Sequence, residues 1–202
     1  MASPRIAIFD YGSGNLFSLK AALERHGAEA EIVTDLDLDN FDGLVLPGVG
    51  NFDPAMKSIR DQRKKLEKAI DSDMPVLGIC LGMEMLFNRS EEGRLKGLGI
   101  FDGDVVMLPR KMKIPHMGWN TLRMVRGSRF LRGLKGNPWV YFVHSYRIRP
   151  RKRSIVVANT EYGTEFPAAI ERGNLFGTQF HPEKSGDLGS VMLKNFIAAC
   201  ER

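Results

Sequence analysis

One short stretch constrains this chain more than any other: Pro75-Val76-Leu77-Gly78-Ile79-Cys80-Leu81-Gly82-Met83. The apolar, β-branched run Val76–Ile79 reads as a buried strand. Residues 81–87 then change to helix-compatible types, which places Cys80 on a strand-to-helix turn. Glycines stand two before and two after it. A nucleophile on so sharp a turn needs neighbours without a Cβ, because side chains there would meet the backbone. A helix beginning just after Cys80 would aim free N–H groups and a positive dipole end at the sulfur, favouring thiolate. The Leu81 N–H would face a developing oxyanion. A buried structural cysteine on an ordinary βα turn is the plainer alternative.

The elements around this turn read as an α/β chain. Arg5–Phe9 is a strand, residues 10–15 are a turn, and Leu16, Leu19 and Leu23 recur at helical spacing before a stop at Gly27. Glu29–Val33 and Gly43–Leu46 are strands, and residues 56–70 form one surface helix. This order favours a mostly parallel sheet with helices on both faces, in three layers. From Gly97 the texture changes to short strands at 100–101, 105–107, 120–125, Trp139–His144, 155–162, 168–171 and Leu175–Thr178, expected as antiparallel additions to the sheet. Leu193, Phe196, Ile197 and Cys200 share one face of a last helix, so Cys200 reads as core. A chain of 202 residues without repeats or linkers is expected to be one domain, 1–202.

Composition excludes several classes. With 43% hydrophobic and 26% charged residues, the chain is ordinary for a globular protein, and no apolar run approaches a membrane span. Nothing resembles a signal segment, and two cysteines make no disulfide framework, so a reducing, cytoplasmic setting is expected. The net charge of +5 is concentrated in Arg147-Ile148-Arg149-Pro150-Arg151-Lys152-Arg153. Without a nucleic-acid-binding fold or stacking aromatics, this run reads as a solvated loop. A zinc site would compete for Cys and His, but the chain has no Cys-x-x-Cys pair and no metal is expected.

Two further motifs belong with Cys80. His181 and Glu183, in Gln179-Phe180-His181-Pro182-Glu183, lie two apart after a strand. Extended backbone puts them on one face, where the carboxylate can orient the imidazole. Pro47-Gly48-Val49-Gly50 also follows a strand, so it falls at the same carboxyl edge, and its glycines free backbone N–H groups to turn toward an oxyanion.

Together, Gly78-Ile-Cys80-Leu-Gly82, Gln179-Phe-His181-Pro-Glu183 and Pro47-Gly-Val-Gly50 resemble the class I, triad-type glutamine amidotransferases, over nearly the whole chain. The blocks Pro115-His116-Met117-Gly118-Trp119-Asn120 and Tyr141-Phe142-Val143-His144-Ser145-Tyr146 resemble, within that family, the amidotransferase subunits of imidazole glycerol phosphate synthases. The resemblance implies a glutaminase without cofactor that feeds ammonia to a separate (βα)8-barrel cyclase subunit in a heterodimer. It implies Cys80 as nucleophile, His181 as base and Glu183 as its orienter. The backbone of Val49, Gly50 and Leu81 would hold the oxyanion, and Glu84, Glu92, His144, Ser145 and Tyr146 would contact glutamine. His116, Met117, Trp119, Asn120, Tyr141 and Lys184 would face the cyclase. At Glu84 the family usually has Gln; a carboxylate there would attract the ammonium of glutamine and repel its carboxylate. Two alternatives are a vitamin B6 synthase barrel as partner, against which the Trp119 block speaks, and a catalytically silent binding subunit, against which the intact Cys, His and Glu speak.

Overall fold

A computed structural model describes residues 3–12, 16–48 and 50–201. Its first half runs β1 (Arg5–Phe9), α1 (Phe17–Glu24), β2 (Glu29–Val33), β3 (Gly43–Leu46), α2 (Phe52–Arg60), α3 (Arg63–Asp71), β4 (Val76–Ile79) and α4 (Leu81–Glu84). Alternation along β1 sets the layers. Ile6 and Ile8 pack on one side of the sheet with Leu19 and Leu23 of α1, while Ala7 and Phe9 pack on the other with Met56 and Ile59 of α2 and Leu66 of α3. Both faces are covered, so these strands read as continuous apolar runs.

The second half runs β5 (Arg89–Ser90), β6 (Gly103–Met107), β7 (His116–Thr121), β8 (Arg123–Met124), β9 (Trp139–His144), β10 (Tyr146–Pro150), β11 (Val156–Glu161), β12 (Glu165–Arg172), β13 (Leu175–Thr178) and α5 (Gly186–Cys200). The main sheet has the order β2-β1-β3-β4-β13-β12-β11-β8. It is parallel from β2 to β13 and antiparallel from there outward. The three-layer, mostly parallel expectation holds, and β12, β11 and β8 make antiparallel additions to the sheet as expected, whereas the expected strands at 105–107 and Trp139–His144 belong to other sheets. Two smaller sheets, β10-β6-β5 and β7-β9, stand apart from the main one. Leu193, Phe196, Ile197 and Cys200 of α5 are all buried against the same face as α1. Among the described residues, no helix is long and apolar enough to cross a membrane.

Five expected elements differ in extent or course. The single helix over 56–70 is two, broken around Gln62, whose side chain bonds the Leu36 N–H and Asp35 in the β2–β3 connection. The helix after Cys80 ends at Glu84, because the carbonyls of Met85, Leu86 and Phe87 accept hydrogen bonds from Leu98, Phe101 and Gly99. For the same reason 100–101 joins no strand ladder. The strand over 120–125 is split between two sheets at Leu122, whose N–H bonds Pro138. The basic run is not a loop: Tyr146–Pro150 is β10, paired with β6, with Arg149 bonded to Asp104.

Candidate active site

β3, β4 and β13 are neighbours, so their carboxyl ends bring three distant segments to one place. Cys80 follows β4 with φ 46° and ψ −106°, a left-handed-side conformation that costs a non-glycine residue on the order of 1–3 kcal/mol. The surroundings explain both flanking glycines. A Cβ on Gly78 would lie 2.7 Å from the Met83 nitrogen, and one on Gly82 would lie 2.0 Å from the Leu46 carbonyl oxygen.

The Cys80 thiol reaches the Val143 carbonyl oxygen at 3.9 Å, and the Gln179 Nε2 approaches its sulfur at 3.7 Å. The Leu81 N–H also faces the sulfur. The expected thiolate does not follow. Burial, and next the nearby Glu84 carboxyl, push the thiol well above its usual range, outweighing the amide donors. Four residues of α4 supply too little dipole to reverse that.

His181 and Glu183 lie just beyond β13, with Nδ1 2.7 Å from Oε1. The Nδ1–H donates to the carboxylate, leaving Nε2 free to accept a proton. The imidazole is fixed from behind: the His181 N–H donates to the Tyr141 carbonyl, 2.9 Å, and Ser185 Oγ donates to the His181 carbonyl, 2.7 Å, while accepting from the Tyr141 N–H. Gly48 separates base from sulfur. A Cβ on it would lie 2.9 Å from His181 Cε1 and 3.0 Å from Cys80 Cβ, so both groups flank one space that only glycine leaves open. Tyr11, which the sequence did not single out, is buried and donates its hydroxyl to the Pro47 carbonyl at 3.0 Å, tying down this segment.

A cavity of about 150 Å³ opens at the sulfur, lined by Gly48, Gly50, Cys80, Leu81, Glu84, Glu92, Val143, His144, Ser145 and Tyr146. Every expected glutamine contact is therefore in one wall. Val49 lies outside the described residues. Glu84 is buried and accepts a 2.8 Å bond from Gln179 Nε2; burial, then the charge of Glu92, raises its carboxyl to about 8. Among the described residues, no group of three His, Cys, Asp or Glu is placed to hold a metal ion.

The profile of the family "Glutamine amidotransferase class-I" matches residues 7–200. The chain belongs to this family. Its relatives include the "Imidazole glycerol phosphate synthase subunit HisH" of Moorella thermoacetica, 49% identical over 95% of this chain and 93% of the relative. The protein of the same name from Methanocaldococcus jannaschii is 44% identical over 95% of this chain and 98% of the relative. Among solved structures, PurLQS from Thermotoga maritima contains a chain of the same fold, with a TM-score of 0.80 at 21% identity, covering 97% of this chain and 98% of that one.

In this amidotransferase β9 of the β7–β9 ribbon lends Val143 and His144 to the cavity lining. Pairing of Met117 with Val143, Trp119 with Tyr141 and Thr121 with Trp139 puts these side chains on one face. Met117, Trp119 and Trp139 are 62%, 53% and 56% exposed. Lys184, also exposed, sits in the turn packed on β9. His116 and Asn120 alternate to the inner face. There His144 Nδ1 donates to the Tyr146 carbonyl at 2.6 Å, so its Nε2 accepts from His116 Nδ1 at 3.0 Å, and His116 Nε2 accepts from Asn120 at 3.3 Å. Burial lowers His116 to about 4 and, with His116 and His181 nearby, His144 to about 3, so both are neutral near pH 7.

Proposed function

We infer that this chain is the glutaminase subunit of imidazole glycerol phosphate synthase, serving histidine biosynthesis by hydrolysing glutamine to glutamate and ammonia. The observation that supports the chemistry best is the strained Cys80 facing the His181–Glu183 pair across Gly48. The Cys80 S–H proton passes to His181 Nε2 as sulfur attacks the side-chain carbonyl carbon of glutamine. Burial raises the thiol above its usual range, so the transfer to His181 assists formation of the anion. The carbonyl oxygen becomes an oxyanion, held by the N–H groups of Leu81 and of Gly50 or Val49. The C–N bond breaks, and His181 returns the proton to the departing ammonia. Water, deprotonated by His181, then opens the thioester to release glutamate and restore the thiol. Glu183 keeps the imidazole in the tautomer both steps need.

In this reading Glu92, Ser145 and Tyr146 hold the α-amino and α-carboxylate groups of glutamine, and Glu84 and His144 line the same cavity. The ammonia goes to a (βα)8-barrel cyclase subunit that makes imidazole glycerol phosphate, in a heterodimer docked on Met117, Trp119, Tyr141 and Lys184. His116 and Asn120 back that face from within. Direct passage avoids bulk water, where ammonia would be protonated and lose its nucleophilicity. The scheme requires no cofactor, treats residues 1–202 as one amidotransferase domain, and suits a cytoplasmic setting in which both thiols stay reduced. The names of the 42–49% identical relatives favour this partner over a vitamin B6 synthase barrel.

The test is Cys80→Ala in the complex with the cyclase subunit. Synthesis from glutamine should disappear, while synthesis from added ammonium salt persists. Normal glutamine use by the variant would overturn the assignment.

A further inference from the structure

Gln179 and Glu84 lie under the sulfur and take part in none of the steps above. Both are pinned by their backbones. The Gln179 N–H donates to Ala168 at 2.8 Å, and the Glu84 N–H donates to the Cys80 carbonyl at 3.0 Å. Gln179 is fully buried, and its Nε2 group serves two acceptors, Glu84 Oε1 at 2.8 Å and Cys80 Sγ at 3.7 Å. Its Oε1 has no partner among the described residues. The amide is thus oriented by the carboxyl on one side and the sulfur on the other.

No lysine or arginine lines the cavity among the described residues. The titratable groups facing Glu84 are Cys80 on its own turn, Glu92 from beyond β5 and Tyr146 from β10, with His144 of β9 and the His181–Glu183 pair near the sulfur. A carboxylate at Glu84 and a thiolate at Cys80 would share one amide and repel each other in a dry site.

We propose that Gln179 and Glu84 are a positioning pair for the nucleophile: Gln179 steadies the sulfur, and Glu84 holds Gln179 as an uncharged acid. Glu84 keeps its proton while the Cys80 proton moves to His181, so the sulfur is the one new negative charge in that corner. The pair deepens the reading of Cys80 as nucleophile and rests on it. The burial that raises Glu84 to about 8 agrees with this arrangement.

Alkylation of Cys80 by iodoacetamide tests it in the full-length chain without requiring turnover, with the labelled cysteine identified by peptide mass. The rates of wild type, Glu84→Gln and Glu84→Leu are followed from about pH 6.5 to 9.5. The ratio of variant to wild-type rate should rise with pH by about tenfold, the effect of one pKa unit of like-charge repulsion on thiolate population. Gln179→Leu should slow alkylation in both the wild-type and Glu84→Gln backgrounds. A ratio that stays constant or falls with pH, in either Glu84 variant, overturns the proposal. Glutamate release is measured in parallel with the cyclase subunit present. Failure of every form to release glutamate would refute the glutaminase reading while leaving the alkylation comparison intact.

Discussion

Replacing Glu84 by Gln should change how stability depends on pH, by an amount the buried groups set. His144 is held near 3 in the fold, against about 6.5 unfolded. Its contribution is present above the unfolded value and lost as pH falls; by about pH 5 the loss is about 2 kcal/mol. His116, lowered to about 4, acts in the same direction. Glu84 has the opposite sign. Its folded value is raised to about 8 from 4.5, so its contribution is full below the unfolded value and lost as pH rises through the folded one. Between about pH 7.5 and 5 it adds about 3 kcal/mol on acidification. The wild type should therefore be nearly level over this window, the carboxyl offsetting the two imidazoles. Glu92, also raised, is present in both proteins and cancels in the comparison. The lowered carboxyls of Asp35, Asp53 and Asp104 titrate below the window. Urea unfolding followed by far-ultraviolet circular dichroism at the two pH values gives the comparison directly. Glu84→Gln should lose about 3 kcal/mol more than wild type on acidification. Parallel profiles would show that Glu84 is ionised in the fold, and the reasoning would fail.

Gly82→Ala should destabilise the protein by about 1–3 kcal/mol or more, since its Cβ would fall 2.0 Å from the Leu46 oxygen at the end of β3; chemical denaturation and glutamate release should both report it. Trp119→Ala should weaken cyclase binding by about 2 kcal/mol or more if the ring is a central anchor, with little change in melting temperature because the side chain is 53% exposed; calorimetric titration with the cyclase subunit decides. Cys200→Ser should leave kcat unchanged but cost about 1–3 kcal/mol, because a hydroxyl replaces a thiol in the core under α5.

The legible parts of this molecule are those fixed by local rules. The strand ending at Ile79, the glycines around Cys80 and the two-residue spacing of His181 and Glu183 each carry their reason in neighbouring residues, and the sheet follows from where the apolar runs fall. Gln179 had a readable signal too: it lies two residues before His181, so extended backbone puts both on the sulfur's side. Less legible was whatever depends on distant partners. Nothing near 81–87 announces that residues 98–101 will take the carbonyls that would have continued that helix. Nothing in the basic run announces that β6 will pair with it. The rise of the Cys80 thiol was illegible for the same reason, since dipole arguments are local and burial is a property of the whole fold.

The strand β9 keeps recognition and reaction on opposite sides of one peptide chain. Its outward side chains, Trp139 and Tyr141, belong to the face proposed for docking, whereas its links to the nucleophile and the base are main-chain carbonyls, of Val143 and Tyr141. A carbonyl oxygen does not register the identity of the residue that bears it. The outer surface can therefore be rewritten, ring for ring or ring for charge, to suit a different docking partner without changing an atom that touches Cys80 or His181. The freedom ends at the backbone itself. Proline at position 141 would remove the N–H that Ser185 accepts, and with it one of the three hydrogen bonds behind the imidazole.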